Sequence, residues 1–399
     1  MASGYKIIYN NATVDLSDVY MEKQYLSFNS LWMWGGNSGN GYSGDLIGVG
    51  DYDNRPTPVQ TTLGLGKDWR KISVGQTGGG WMGSVKNTYA IRGDRKLFAW
   101  IKVGYGYGAI KDWYMLNEGP WDSVSGGFGF GSGIKTDGTL WGWGYGYQGQ
   151  LGNNVAGSVD FFSPVETVSG GNNWKQVSCA ELSTAAIKTD GTLWLWGYNY
   201  FYAGNLGDNT TTDRSSPVQT VSGGNNWKQV SVAGFTAAAI KTDGTLWTWG
   251  RNSYAYTWAL GSAGIDWGKS SPTQTITGGT NWREVSNGGI SMAAIKTDGS
   301  LWTWGTNSNG QLGDNTTTSR YSPAQTVSGG YDWLKVSCSN NHMAAIKTDG
   351  TLWTWGYNVG NIYDGDDTKI ERSSPVQVGS ASTWATVEAN YGITVALSN

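Results

Sequence analysis

The chain has 399 residues, of which 14% are charged, and its net charge at neutral pH is −3. This balance offers no basic surface on which nucleic acid could release counterions, so nucleic acid is excluded as an expected partner. The 62 glycines, 24 tryptophans and only 8 prolines indicate a packed, turn-rich β protein rather than a disordered chain. The sequence has neither a basic segment followed by an apolar run nor a long apolar stretch, and therefore predicts no signal peptide and no membrane span.

Residues 1–30 differ from everything that follows. Two short strands are predicted here, and no proline- or glycine-rich linker separates them from the next strand. A segment joined this directly should hold a fixed position, and we expect it to attach the protein to a larger assembly. The candidate attachment residues are Tyr5, Ile7, Ile8, Val14 and Leu16.

From residue 31 onward, three short elements recur at intervals of roughly fifty residues, a period typical of propeller blades. The element L-W-x-W-G begins at Leu31, Leu140, Leu193, Leu246, Leu301 and Leu352, and a degenerate copy of it lies at Leu97–Ile101. The element W-K-Q-V-S, or a variant of it, begins at Trp69, Trp121, Trp174, Trp227, Trp282, Trp333 and Trp384. The element S-P-V-Q, or a variant of it, lies between these two elements and is missing from the unit with the degenerate copy.

Each unit also carries the sequence A-A-I-K-T-D-G-T-L-W or a close variant, which predicts a β-hairpin with a tight turn at Thr-Asp-Gly. The turn glycines should have positive φ angles, as at Gly191, Gly244, Gly299 and Gly350. The lysines that open these turns should form a ring near one rim, each close to an aspartate. They are either solvated turn residues or an anion-binding rim: Lys135, Lys188, Lys241, Lys296 and Lys347.

In Leu352–Gly356 the two tryptophan rings should point to one face of the sheet, and the leucine and threonine to the other. Burying one such ring contributes roughly 4–6 kcal/mol before opposing terms. A lone blade would expose these rings, whereas a closed ring of blades covers them. The segment from Trp384 to the C-terminus lacks L-W-x-W-G, and Leu31–Gly35 supplies it, so the N-terminal strand should complete the C-terminal blade.

The segment Gly310–Gly356 resembles the regulator-of-chromosome-condensation type of repeat, and the resemblance extends over almost everything after residue 30. It implies an all-β, seven-bladed β-propeller over residues 31–399, preceded by the segment 1–30. The family includes exchange factors for small GTPases, ubiquitin-ligase modules, and bacterial and phage proteins. Residues 1–30 are similar to the openings of repeat propellers in tailed phages, which favours a bacterial or phage-like branch.

Two residue types that often carry chemistry have structural explanations here. Cys179 and Cys338 occupy the same place in opposite blades, too far apart for a disulfide, and should be buried. His342, the only histidine, stands where the family often has one, and Ser183, Thr236 and Ser291 fill the matching places. We therefore expect no catalytic residues, no cofactor and no metal, although the acidic loops at residues 51–54 and 364–367 leave calcium as an alternative.

Three loops break the repeat and are rich in tyrosine and tryptophan. The rings either pack between blades or form a surface that binds a protein or glycan receptor. The candidate partner-binding residues are Tyr105, Tyr107, Trp113, Tyr198, Tyr200, Tyr202, Tyr254, Tyr256 and Trp258.

The sequence thus predicts a non-enzymatic interaction module, located in a tailed-phage virion as a decoration, neck or receptor-facing tail-fibre protein. The alternatives are a cytoplasmic regulatory propeller, such as a small-GTPase exchange factor, and a secreted lectin-like carbohydrate binder.

Overall fold

The computed structural model describes residues 6–9, 12–15, 30–35, 53–61, 68–75, 86–102, 114–157, 160–199, 204–222, 224–252, 260–261, 268–358, 365, 368, 370–390 and 392–399. Within this part of the chain the secondary structure is entirely β, and no membrane-spanning helix occurs. Seven four-stranded sheets form the blades of a propeller, and a separate two-stranded sheet precedes them.

The two-stranded sheet pairs β1 (Lys6–Tyr9) with β2 (Ala12–Asp15), with Ile7 opposite Val14. Strands β3 (Ser30–Gly35) and β4 (Arg55–Gln60) follow and belong to the closing blade, blade 7.

The remaining blades are consecutive in the chain. Blade 1 contains β5 (Trp69–Val74), β6 (Lys86–Arg92), β7 (Leu97–Lys102) and β8 (Tyr114–Asn117). Blade 2 contains β9 (Trp121–Gly126), β10 (Phe130–Lys135), β11 (Leu140–Tyr145) and β12 (Asp160–Glu166). Blade 3 contains β13 (Trp174–Cys179), β14 (Ser183–Lys188), β15 (Leu193–Gly197) and β16 (Arg214–Gln219). Blade 4 contains β17 (Trp227–Ala233), β18 (Thr236–Lys241), β19 (Leu246–Arg251) and β20 (Gly268–Gln274).

Blade 5 contains β21 (Trp282–Asn287), β22 (Ser291–Lys296), β23 (Leu301–Gly305) and β24 (Arg320–Gln325). Blade 6 contains β25 (Trp333–Cys338), β26 (His342–Lys347), β27 (Leu352–Gly356) and β28 (Arg372–Gln377). Blade 7 is completed by β29 (Trp384–Asn390) and β30 (Ile393–Ser398). The W-K-Q-V-S element is therefore the first strand of every blade, and L-W-x-W-G is the third.

Ring closure by the two ends of the chain, as predicted, is confirmed. Strand β30 pairs with β3 in antiparallel register, with Leu31 opposite Leu397 and Trp34 opposite Thr394, so blade 7 has the strand order β29-β30-β3-β4. The Trp32 indole N–H also donates a hydrogen bond to Ser398 Oγ at 2.8 Å.

The core lies between blades rather than within them. One apolar cluster, for example, joins Ile295 and Leu301 of blade 5 to Trp333, Val336 and Trp355 of blade 6. Each blade thus covers the tryptophans of its neighbour, which explains why the rings can be buried only in a closed ring.

The predicted hairpin turns are confirmed, because the turn glycines have φ angles between +79° and +83° at Gly191, Gly244, Gly299 and Gly350. In each turn the aspartate accepts hydrogen bonds from the residue two positions later; Asp349, for example, accepts them from Thr351 N at 2.9 Å and Oγ1 at 2.7 Å. Thr351 Oγ1 in turn accepts the Trp353 indole N–H at 2.9 Å. The repeated T-D-G-T-L-W sequence therefore encodes one hydrogen-bonded unit.

The propeller has two faces. The T-D-G turns and the beginnings of the first strands lie on one face, which we call the turn face. The two meet there between neighbouring blades: the Trp174 backbone N–H of blade 3, for example, donates to Gly138 O of blade 2 at 3.0 Å. The opposite face, which we call the loop face, carries the connections from the first to the second strand and from the third to the fourth.

Candidate interaction surface and central channel

Serines line the axis of the propeller in six of its seven blades. The fifth residue of the first strand is Ser73, Ser125, Ser178, Ser231, Ser286 or Ser337 in blades 1 to 6. All six line a channel of about 100 Å³ along the axis, together with Glu388, the fifth residue in blade 7. We call the six residues the serine ring.

The serine ring joins the blades to one another. Each hydroxyl oxygen accepts a backbone N–H from the first strand of the next blade, as in Ser178 with Val232 at 3.1 Å and Ser337 with Ala389 at 2.8 Å. The same bond occurs at the four other serines, at 2.9–3.0 Å. One hydroxyl therefore satisfies a backbone donor that no strand partner reaches.

A second layer of contacts between blades lies two residues earlier. Gln176 donates from Nε2 to Val230 O at 2.9 Å and accepts from Val230 N at 3.1 Å. Gln229 makes the same pair of bonds with Val285, at 3.1 and 3.0 Å. Each glutamine amide thus forms, with one residue of the next blade, the two hydrogen bonds that the backbone of a neighbouring strand would otherwise form.

Glu388 interrupts the serine ring at the closing blade. Its carboxylate lines the channel, and no hydrogen bond to it occurs among the described residues. Burial raises the pKa of Glu388 to about 7, with Lys335 lowering it and Glu284 raising it further. At this junction Asn390 Nδ2 instead donates to Gly75 O in blade 1.

Half-buried apolar side chains lie on the loop face of three consecutive blades. Leu182, Phe235 and Ile290 occupy the connection between the first and second strands of blades 3, 4 and 5. Tyr198, which follows the third strand of blade 3, packs edge-on against Phe235 of blade 4, with ring centroids 5.8 Å apart. We call these four residues the loop-face arc.

On the turn face, each lysine of the ring lies close to the aspartate of its own turn, as predicted: hydrogen bonds within the turn lower the pKa of that aspartate, and the charge of the lysine lowers it further. Each ammonium group lies over two tryptophan rings of its own blade; Lys241 Nζ, for example, is 4.8 Å from the Trp227 ring centre and 4.3 Å from that of Trp247. The same pairing occurs at Lys135, Lys188, Lys296 and Lys347. The lysine ring is therefore packed against the blades by cation–π contacts rather than extending freely into solvent.

The cysteines and the histidine are buried, as predicted. Both thiols are free, and burial raises the pKa of Cys179 to about 11 and that of Cys338 to about 12. His342 lies 2.9 Å from Ser339 Oγ through Nδ1 and 3.0 Å from Thr394 Oγ1 through Nε2, and burial lowers its pKa to about 4. These groups are poor nucleophiles or bases at neutral pH.

Most residues predicted to bind partners lie outside the described part of the chain. Of the aromatic candidates only Tyr198 is described, and it is half-buried in the loop-face arc. Those outside are Tyr105, Tyr107, Trp113, Tyr200, Tyr202, Tyr254, Tyr256 and Trp258, together with the attachment candidates Tyr5 and Leu16. The backbones of Ile7, Ile8 and Val14 lie in the two-stranded sheet.

The channel was not predicted from the sequence. Its signal was nonetheless present, because the serine recurs four residues after the tryptophan of each W-K-Q-V-S element, and the copy W-A-T-V-E replaces it by Glu388.

Segments of the chain match the family described as Regulator of chromosome condensation (RCC1) repeat, at residues 137–187 and 298–346, and a second RCC1 repeat family matches residues 333–360. These parts of the chain are therefore similar to RCC1 repeats.

Curated relatives are similar to part of the chain. The mitochondrial RCC1 domain-containing protein RUG3 of Arabidopsis thaliana is 28% identical over 57% of this chain and 52% of the relative. The ultraviolet-B receptor UVR8 of the same plant is 28% identical over 63% of this chain and 56% of the relative. The chain thus spans about half the length of these two proteins.

Solved RCC1-type propellers share the fold along nearly the whole chain. Human WBSCR16 superposes with a TM-score of 0.75 at 17% identity, covering 93% of this chain and 99% of that one. Prp20p of Saccharomyces cerevisiae, whose structure is described with its binding to Gsp1p and histones, gives 0.76 at 13% identity, covering 94% and 92%. RCC1-type propellers are protein-interaction modules, and this chain shares their architecture. The relatives named here are eukaryotic, so they give no support to the predicted phage-like branch or virion location.

Proposed function

We propose that the protein is a non-enzymatic propeller that binds a protein partner through its loop face, with residues 1–30 attaching it to a larger assembly. The observation that supports the loop face is the loop-face arc. Leu182, Phe235, Ile290 and Tyr198 keep apolar surface at the axial end of adjacent blades, where aromatic and aliphatic groups give contact area at low entropic cost.

A comparison of equivalent residues in the blades also favours the loop face as the binding surface. On the turn face, equivalent residues of blades 2 to 6 make the same cation–π and hydrogen-bonded contacts, so that face is nearly the same in each blade. A partner can bind at one specific place on the ring only if the surface residues there differ from those of the other blades. The loop face supplies such differences, because the same position is leucine in blade 3, phenylalanine in blade 4 and isoleucine in blade 5.

The test compares two double variants of the full chain. Phe235→Ser with Ile290→Ser alters the loop-face arc, and Val221→Ser with Ile276→Ser alters two turn-face side chains that are 51% and 54% exposed. We expect the first to weaken binding to the purified partner by roughly tenfold or more and the second to leave it unchanged. Equal effects of the two variants at unchanged melting temperature would contradict the proposed face.

Residues 1–30 are tested separately. A chain lacking residues 1–29 keeps strand β3, so we expect it to fold while losing its place in the assembly. Virion location stays a prediction, which mass spectrometry of purified virus particles would test. Co-purification with a small GTPase would favour the exchange-factor alternative, and binding on a glycan array would favour the lectin-like one.

A further inference from the structure

The channel wall combines two carboxylates, those of Glu388 and Glu181, with a ring of hydroxyl oxygens. Each serine of the ring uses one lone pair to accept a backbone N–H, as Ser231 does from Asn287 at 3.0 Å. Apart from Ser125, whose hydroxyl also contacts the Cys179 thiol, the ring hydroxyls form no other hydrogen bond among the described residues, so a second lone pair and a proton are left on the channel side. Ser337 is only 5% exposed, so this capacity can be satisfied only from inside the channel.

The carboxylate of Glu181 lies in the loop-face connection of blade 3, where the positive charge of Arg251 acts on it. Glu388 is the exception in the ring, and it adds a negative charge to the channel wall. The charged groups that act on it are Lys335 and Glu284, which leaves one net negative charge when all three are ionised. The Glu388 carboxylate is half-buried and receives no hydrogen bond from the described residues, which is costly for a charge with restricted access to water. The high pKa of Glu388, about 7, has the same cause.

The size and polarity of the channel limit what can enter. A volume of about 100 Å³ holds a ligand of a few heavy atoms and excludes nucleotides and disaccharides. The wall consists mainly of serine hydroxyls, the carboxylates of Glu388 and Glu181, and polar groups such as Asn340. An apolar ligand would leave these groups unsatisfied.

We propose that the central channel is a binding site for a small primary ammonium group, with Glu388 as its counter-ion and the serine ring as its hydrogen-bond acceptors. An alkylammonium carries three N–H donors that match the free lone pairs of the ring. A divalent metal ion fits less well, because it needs several charged oxygen ligands together, whereas Glu388 of blade 7 and Glu181 of blade 3 lie on opposite sides of the ring and Arg251 acts on Glu181. A quaternary ammonium has no N–H donor for the serines.

The experiment measures thermal unfolding at pH 8 and constant ionic strength, with increasing methylammonium, tetramethylammonium or potassium chloride. For the natural chain we expect a saturable rise in melting temperature with methylammonium alone, because a ligand that binds only the folded state stabilises it. Broadening of the resonance of ¹³C-labelled methylammonium by the protein gives a direct measure of binding.

Two variants provide the controls. Glu388→Ser places a serine in all seven blades, and Glu388→Gln keeps the side-chain size while removing the charge; both should lose the methylammonium response. The proposal would be overturned if the natural chain showed no saturable response, if potassium or tetramethylammonium acted equally, or if the variants responded as the natural chain does.

Discussion

Glu284 accepts a hydrogen bond from the Val336 backbone N–H through a single carboxylate oxygen, at 3.2 Å. Gln176 and Gln229 occupy the same place in blades 3 and 4, and both also donate to the carbonyl of their valine. A carboxylate cannot make the second bond unless it is protonated, and burial raises the pKa of Glu284. The junction between blades 5 and 6 is therefore short of one hydrogen bond at alkaline pH.

Replacing Glu284 by glutamine should restore that bond. We expect Glu284→Gln to raise the free energy of unfolding by about 1 kcal/mol at pH 8. The gain should shrink as the pH falls and Glu284 takes up a proton. Denaturant unfolding at several pH values measures the effect, and Gln229→Glu, the reverse change one blade earlier, should be destabilising at pH 8. A Glu284→Gln chain less stable than the natural one would contradict the reasoning.

His342 should make stability depend on pH in the acidic range. Its folded-state pKa of about 4 lies below the ordinary 6.5, so the unfolded chain binds the proton more readily, and stability is lost as the pH falls from 6.5 through 4. The loss should approach about 3 kcal/mol. His342→Ser, which copies Ser183 and Ser291, should lower stability at pH 8 and remove this part of the acid dependence. Parallel pH profiles for the two chains would refute the assignment.

Ring closure predicts a sharp difference between two truncations. Deleting residues 1–36 removes β3 and leaves β30 unpaired along one edge, so we expect loss of cooperative unfolding, or aggregation. Deleting residues 1–29 keeps β3 and should preserve a single cooperative transition. Calorimetry of both chains decides the matter, and unchanged melting of the shorter chain would show that the ring does not need this strand.

Gly350 should tolerate no side chain. It has a φ of +79°, and a Cβ there would lie 2.3 Å from the Ser382 carbonyl oxygen. Gly379 has a φ of +60° but no atom within 4 Å of such a Cβ, so it provides a control for backbone strain alone. We expect Gly379→Ala to cost roughly 1 kcal/mol and Gly350→Ala clearly more. Equal melting temperatures for the two variants would contradict the role of the close contact.

The blades, the closing strand and the turn glycines could be predicted because the same short sequence elements recur in blade after blade. A T-D-G turn between an apolar and an aromatic strand indicates a hairpin wherever it occurs, and the incomplete unit at Trp384 identifies Leu31–Gly35 as its missing part. The buried state of Cys179 and Cys338 followed from their equivalent positions in the repeat.

The serine ring and the lysine contacts could not be predicted in the same way. Which residue of a strand faces the axis depends on how seven sheets pack around it, which no single repeat encodes. The lysines were placed on the correct turn, but the tryptophans beside Lys241 come from the first and third strands, and their convergence on one ammonium group is a tertiary effect.

The pairing of β3 with β30 also has a consequence for how the protein is made. Trp32 and Ser398 are 366 positions apart, and they meet only after the last strand has left the ribosome. At about 5–20 residues per second, the early strand waits roughly 20–70 s for its partner. During that time its tryptophans have no neighbour to cover them, so nascent chains should need a chaperone or rapid synthesis more than finished rings do.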